Sequence, residues 1–175
     1  MQKTILKYGL ISGLISGLLM ALVTITCAHK DFMWEYGAYI GYTSMIISMA
    51  LVYFGVKHFR DQENGGQITL TRAMWIGFGI VSISCILYSL TWLVVYYNFL
   101  PNFMNEYAAH EIQKAQAAGI SAEALSKKQA QFDEMKKMYS TPLGVFSITL
   151  LEPLPVGILI SILSAIVLRK KQTIS

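Results

Sequence analysis

At 175 residues, with 54% apolar side chains and a mean hydropathy of +0.49, the chain is more apolar than an ordinary soluble domain, and its apolar residues come in long runs. The net charge of +4 comes with no basic patch interleaved with exposed aromatics, so nucleic acid is not an expected partner. His29, His58 and His110 fall on different segments, and no nucleophile elbow, Walker loop or paired-carboxylate motif is present, so no catalytic residue, metal ligand set or cofactor is expected and the chain reads as a non-enzyme.

A helix needs about 20 apolar residues to cross a hydrocarbon core of about 30 Å. Residues 8–27, 37–56, 73–97 and 149–168 meet that length, and Glu152 is the one charge inside them. The expected fold is all-α, a single integral membrane bundle of four transmembrane helices. An extracytoplasmic amphipathic helical hairpin, residues 102–139, is expected between spans three and four.

The first span opens YGLISGLISGLLMA, with Gly9, Gly13 and Gly17 recurring every four residues. That spacing stacks them on one helix face, where a glycine row lets another helix backbone approach closely in lipid. Lys3, Lys7 and the segment TITCAHK have some marks of a signal peptide. The apolar core exceeds the roughly 7–15 residues of such peptides, and Thr26 before Cys27 fits cleavage poorly, so the helix is expected to stay.

The short connection HKDFMWEY follows, and the second span carries Gly37, Gly41, Ser44 and Ser48. Trp34, Tyr36 and Tyr39, together with Trp92, Tyr96 and Tyr97 of the third span, are expected at headgroup depth as an interfacial aromatic belt. Between spans two and three, FRDQENGGQITLTRA contains Asn64-Gly65-Gly66, a strong turn signal because both residue types accept positive φ. With Asp61 it forms the most idiosyncratic motif in the chain, and Thr69 or Thr71 is placed to cap the third span. Cys85 and Cys27 are offset by roughly 10 Å along the bundle axis at 1.5 Å per residue, too far for a disulfide.

After Tyr97 the composition turns polar. Helices are expected over 102–118 and 121–139, with Gly119 ending the first and Ser121 capping the second. Leu125, Phe132, Met135 and Tyr139 fall on one face of the second, and Phe103 and Tyr107 make a shorter patch on the first. Such a hairpin either caps the bundle, lies on the headgroups, or docks a protein partner. In the fourth span, LLEPLPVG places Glu152 beside Pro153 and Pro155, which interrupt backbone hydrogen bonding. An ionisable group in a span is by default a functional candidate, and a freed carbonyl beside it could hold a cation or proton. His29, Lys30 and Asp31 are the expected neighbours on that side. Beyond it Gly157, Ser161 and Ala165 form a second small-residue row, and spans one and four are the expected close pair. A homo-oligomer through the glycine row is the alternative use of that face.

Lys3, Lys7, Lys57, Arg60, Arg72, Arg169, Lys170 and Lys171 cluster within a few residues of one set of span ends, which places both termini and the Gly65-Gly66 loop in the cytoplasm. The stretches YGLISG, FRDQENGGQITLTRA and LLEPLPVGILISILSAIVLRKK resemble the small four-span bacterial membrane proteins catalogued as domain of unknown function 4199. The resemblance covers essentially the whole chain. It implies four spans in a bacterial inner membrane and brings no activity. Two readings follow: a structural, accessory or interaction protein using its outer hairpin, or a small transporter or channel subunit with an outward-facing pocket around Glu152.

Overall fold

The computed structural model describes residues 1–27 and 31–170, with side chains for 1–26 and 35–170. His29, Lys30 and Lys171 therefore lie outside the described residues, as do the side chains of Cys27, Asp31 and Trp34. Among the described residues the chain forms helices and the turns between them, with one antiparallel bridge pairing Ile68 and Lys170. The α-helices are α1 (Gln2–Cys27), α2 (Asp31–His58), α3 (Leu70–Phe99), α4 (Phe103–Ala117), α5 (Ala122–Tyr139), α6 (Pro142–Leu151) and α7 (Leu154–Leu168), and a π-helical turn, Phe59–Glu63, extends α2. Four lengths of helix are long and apolar enough to cross a membrane: α1, α2, α3, and α6 together with α7.

The helix at the centre of the packing is α3. Its 30 residues make it about 45 Å long at 1.5 Å per residue, well beyond a hydrocarbon core of about 30 Å. The glycine row of α1 lies directly on it. A Cβ on Gly9 would stand 2.8 Å from the Ile83 Cβ, and one on Gly17 would stand 2.7 Å from the Thr91 Oγ1. The Ser84 hydroxyl reinforces the seam by donating to the Gly9 carbonyl at 3.2 Å as well as to the Ile80 carbonyl of its own helix at 2.9 Å. On the other flank α7 presents its own small row to α3. Gly157 meets Val81, and a Cβ on Gly77 would stand 2.9 Å from the Ser161 Cβ.

This corrects the expected pairing of spans one and four. Both helices pack on α2 and α3, which places them at opposite corners of the bundle. The physical reason is that each small-residue row accepts bulky side chains from α3, Ile83 and Leu87 on one side and Val81 on the other. The interior is completed by Met49, Val52 and Val56 of α2 against Ile76, Ile80 and Cys85 of α3, and Cys85 is a free buried thiol.

Beyond the bundle, α4 and α5 form a hairpin that folds back onto the last turns of α3. Met104, Ala108 and Phe132 are buried there with Trp92, Val95, Tyr96 and Val145. Trp92 and Tyr96 are accordingly only 7% and 8% exposed, which corrects their placement in an interfacial belt. Their rings meet the hairpin: Trp92 lies edge-on to Phe103 at 5.1 Å and Tyr96 edge-on to Tyr139 at 5.5 Å. Tyr39 and Tyr97 remain exposed. Thr69 caps α3 by accepting from the Arg72 N–H at 3.3 Å, and Ser121 caps α5 by accepting from Ala124 at 3.2 Å. Gly119, at φ +69, makes the left-handed turn between α4 and α5.

Candidate functional site

Two regions gather the polar residues singled out by the sequence. The first is the break between α6 and α7. The helix stops at Leu151 and resumes at Leu154 because Pro153 and Pro155 have no N–H to give. The α-helical donors for the Thr149 and Leu151 carbonyls would have come from those two positions. Glu152 stands at this break as the C-terminal cap of α6, still in right-handed backbone geometry at φ −65 and ψ −54. Pro153 is buried, whereas Glu152 and Pro155 are exposed. Its carboxylate makes no hydrogen bond or ion pair among the described residues.

Tyrosines from three helices lie within electrostatic reach of Glu152, and the sequence carried no signal of them. Its carboxylate is within electrostatic reach of Tyr88 on α3, Tyr107 on α4 and Tyr139 on α5, and Tyr42 of α2 reaches the first two. Tyr88 is 6% exposed, so this side of Glu152 looks into the bundle beneath the hairpin. In the hairpin, burial raises the Tyr107 phenol pKa above its ordinary value, and the carboxylates of Glu111 and then Glu152 add to that. Burial likewise raises Tyr139, with Thr149 and Trp92 pulling the other way and Glu152 adding to the rise. While α2 packs along α7, α6 is held by α3 and α5, and Tyr42 stays exposed on the α2 side. The expected neighbours His29, Lys30 and Asp31 lie outside the described side chains.

At the other end of the bundle, the residues Asp61, Asn64, Gly65 and Gly66 belong to one turn. Gly65 and Gly66 adopt φ +62 and +78, and the Gly66 N–H donates to the Arg60 carbonyl at 2.8 Å. Asn64 donates to the Gln67 carbonyl and accepts from Arg72 at 3.1 Å. Arg72 also lies over the Phe59 ring at 5.1 Å. Arg60 pairs with Asp61 at 2.6 Å and reaches the Leu168 carbonyl at 3.4 Å, and Glu63 accepts from Thr4 and from the Met1 ammonium. Ile68 and Lys170 exchange both backbone hydrogen bonds, at 3.1 and 3.0 Å. Arg60, Asp61, Glu63, Asn64 and Arg72 are thus engaged in tying together the ends of α1, α2, α3 and α7, and the turn reads as a clasp. Arg60, Arg72 and Ile68 are the members sequence reasoning passed over.

The small residues Gly9, Gly13, Gly17, Gly157 and Ser161 are interfacial, with Ser161 donating to the Gly157 carbonyl at 2.9 Å. Among the described residues no group of three His, Cys, Asp or Glu is placed to hold a metal ion.

An all-helical chain with four helices long and apolar enough to cross a membrane defines the class of protein. The model of the family described as "Protein of unknown function (DUF4199)" matches residues 7–170, and the chain belongs to that family. No curated protein and no solved structure matches it.

Proposed function

We propose that the chain is a non-enzymatic, multi-pass protein of the bacterial inner membrane, an accessory or interaction protein whose hairpin faces outward. In this reading both termini and the clasp at residues 59–69 are cytoplasmic, in keeping with the Lys and Arg residues gathered at that end. The bilayer is the partner of the exposed apolar faces, for which Leu10, Leu14, Leu18 and Leu22 of α1 provide an uninterrupted example. One observation carries the reading. The apolar face of the hairpin is already occupied by the bundle, through Phe132, Met104 and Ala108. What the hairpin offers outward is a fixed polar face with Lys114, Glu123, Lys127, Asp133, Glu134 and Lys137 exposed. A partner would be recognised there by charge and hydrogen bonding, the pattern that governs rate and specificity at polar interfaces.

The test combines topology and partner capture. Cysteines placed at Gly65, Gly119 and Ser175 should label from the cytoplasmic side, the outer side and the cytoplasmic side respectively. Proteins co-purifying with the detergent-solubilised chain should be lost when Glu123, Asp133 and Glu134 are reversed to Lys. Labelling of Gly119→Cys from the cytoplasm alone would overturn the orientation.

The second reading is a small transporter or channel subunit with an outward pocket around Glu152, favoured by a carboxylate at a helix break that is unpaired among the described residues. Against conduction by one chain, three of the buried hydroxyls in the bundle donate to backbone carbonyls, Ser12 to Ser48, Ser84 to Gly9 and Ser161 to Gly157, whereas the buried Ser89 hydroxyl has no partner among the described residues. A homo-oligomer would be needed to supply a path. Proton or sodium flux into liposomes holding the purified protein distinguishes this reading from the first.

A further inference from the structure

We propose that the groove between α3 and α7 is a binding site for an anionic phospholipid, with one acyl chain in the groove and the phosphate at Arg169 and Lys170. The groove is a cavity of about 250 Å³ lined by Phe78, Val81 and Ser82 of α3 and by Leu154 and Ile158 of α7. It runs beside the seam where Gly77 lies against Ser161 and Gly157 against Val81. No lining residue carries a charge, and the Ser82 hydroxyl donates to the Phe78 carbonyl of its own helix at 2.8 Å, so an apolar occupant leaves nothing unsatisfied. The volume is below the roughly 300–1,000 Å³ of pockets that enclose a drug-sized molecule, which suits a length of hydrocarbon chain.

The register of the two helices leads the groove to a basic end. Gly77 faces Ser161, Val81 faces Gly157, and nine residues before Gly77 the bridge of Ile68 with Lys170 keeps the same pairing. Arg169 is thus level with Thr69 at the start of α3. It stands eleven residues from Ile158, three turns along α7 and so on the same face. That is about 16 Å at 1.5 Å per residue, close to half of a hydrocarbon core of about 30 Å. One leaflet fits this length, with the phosphate at the surface and the chain end toward the midplane. Trp75 shares a stripe of α3 with Phe78 and Ser82 and is 69% exposed, as suits a ring at the boundary between headgroups and chains. Charge selects the headgroup. The adjoining ends of α2, α3 and α7 hold Lys57, Arg60, Arg72, Arg169 and Lys170 against Asp61 and Glu63, and both acids are already paired, with Arg60 and the Met1 ammonium. Arg169 and Lys170 are exposed and make no ion pair among the described residues. Basic residues at the mouth of a groove between membrane helices are the pattern that takes phosphate headgroups. The site rests on the reading that the bilayer covers the exposed apolar faces, and it holds for whichever leaflet the clasp faces.

The experiment takes Trp75 as reporter in vesicles holding the purified full chain. Fluorescence is quenched with phosphatidylglycerol brominated in its acyl chains amid plain phosphatidylcholine, and then with brominated phosphatidylcholine amid plain phosphatidylglycerol. The difference between the parent and Trp75→Phe isolates the signal of this residue. At equal fractions the brominated phosphatidylglycerol should quench Trp75 several-fold more effectively, and added salt should weaken that preference. Arg169→Gln combined with Lys170→Gln should remove the preference and leave quenching by bulk lipid. Lys170 pairs with Ile68 through its backbone, so the bridge survives the change of side chain. Ser82→Phe, at an exposed position, fills the groove and should lower the preference with both basic residues intact. Equal quenching by the two lipids, or a preference unchanged in either variant, overturns the site and leaves the bilayer contact standing. No quenching of Trp75 by either lipid overturns both, and cross-linking between copies would then identify a second chain as the occupant of this face.

Discussion

Gly13 of α1 and Leu87 of α3 are packed so closely that a Cβ on the glycine would stand 2.8 Å from the Cβ of the leucine, with the Ser84 Cα backbone atom only 3.0 Å away. Flexible side chains can swing aside, but a backbone atom moves only with its helix. The contact therefore sets how near α1 and α3 can lie.

The first prediction follows from that seam. Gly13→Leu must push α1 off α3 and should destabilise the protein by more than about 2 kcal/mol, as overpacking in tight interiors does. Leu14→Ile, on the exposed side of the same helix, should stay within about 0.5 kcal/mol. Thermal unfolding in detergent reads both. A Gly13→Leu protein that melts with the parent, at unchanged oligomeric state, would mean the groove is not a packing surface.

A second pair of glycines separates close approach from mere helix propensity. Gly144 lies against the Met138 carbonyl where α5 turns into α6, so a methyl group there has no space, and its N–H is needed by the Thr141 hydroxyl at 3.1 Å. Nothing lies within 4 Å of a Cβ on Gly41. Gly144→Ala should therefore lower stability by about 2 kcal/mol or more, while Gly41→Ala should leave it equal or slightly raised by better helix propensity. Equal melting temperatures for the two variants would contradict the packing described for the α5–α6 corner.

The four apolar helices were legible because a run of about 20 apolar residues has few other uses. The helix break was legible too, since Pro153 and Pro155 cannot donate. The partner of each small-residue row was not. Gly9, Gly13 and Gly17 announce that some helix comes near without saying which, and α3 answers with Ile83, Leu87 and Thr91, ordinary residues that carry no mark of the role. On α4, Met104 and Ala108 turned out to be the buried face and the flashier Phe103 and Tyr107 its flank. The tyrosines within electrostatic reach of Glu152 come from three helices, a convergence that no local pattern encodes.

The hairpin gives the third prediction. Phe132 is 8% exposed and sits edge-on to Tyr107 at 5.9 Å, within the cluster built on Trp92 and Tyr96. Phe132→Ala should remove about 3–5 kcal/mol of packing at that spot. Because the cap touches the bundle only at one end, the loss should appear as local opening. Protease should cut within residues 102–140 faster in the variant, and Trp92 fluorescence should become quenchable, while α1 and α3 keep their amide protection. Loss of protection throughout the bundle would show instead that the cap is part of the cooperative core.

The clasp gives the last prediction, and it has a pH sign. Gly65 and Gly66 both occupy the left-handed region, with open space around each, so only backbone strain opposes a side chain there. Each Gly→Ala change should cost about 1–2 kcal/mol. Within the same turn the hydrogen bond from Arg60 holds the Asp61 carboxyl below its ordinary pKa, and hydrogen bonds from the Met1 ammonium and Thr4 do the same for Glu63. A carboxylate with a depressed pKa contributes in full above its ordinary value and loses that contribution as pH falls through the depressed one. The clasp should accordingly be intact near neutral pH and loosen in acid. The Ile68 N–H, which donates to the Lys170 carbonyl at 3.1 Å, reports on it directly. Its exchange protection should fall below about pH 4 in the parent, and Asp61→Asn together with Glu63→Gln should remove that dependence by making the turn equally loose at neutral pH. Protection of Ile68 that is indifferent to both acid and the double substitution would assign the hold on α7 to the backbone bridge alone, with the Arg60–Asp61 pair as surface decoration.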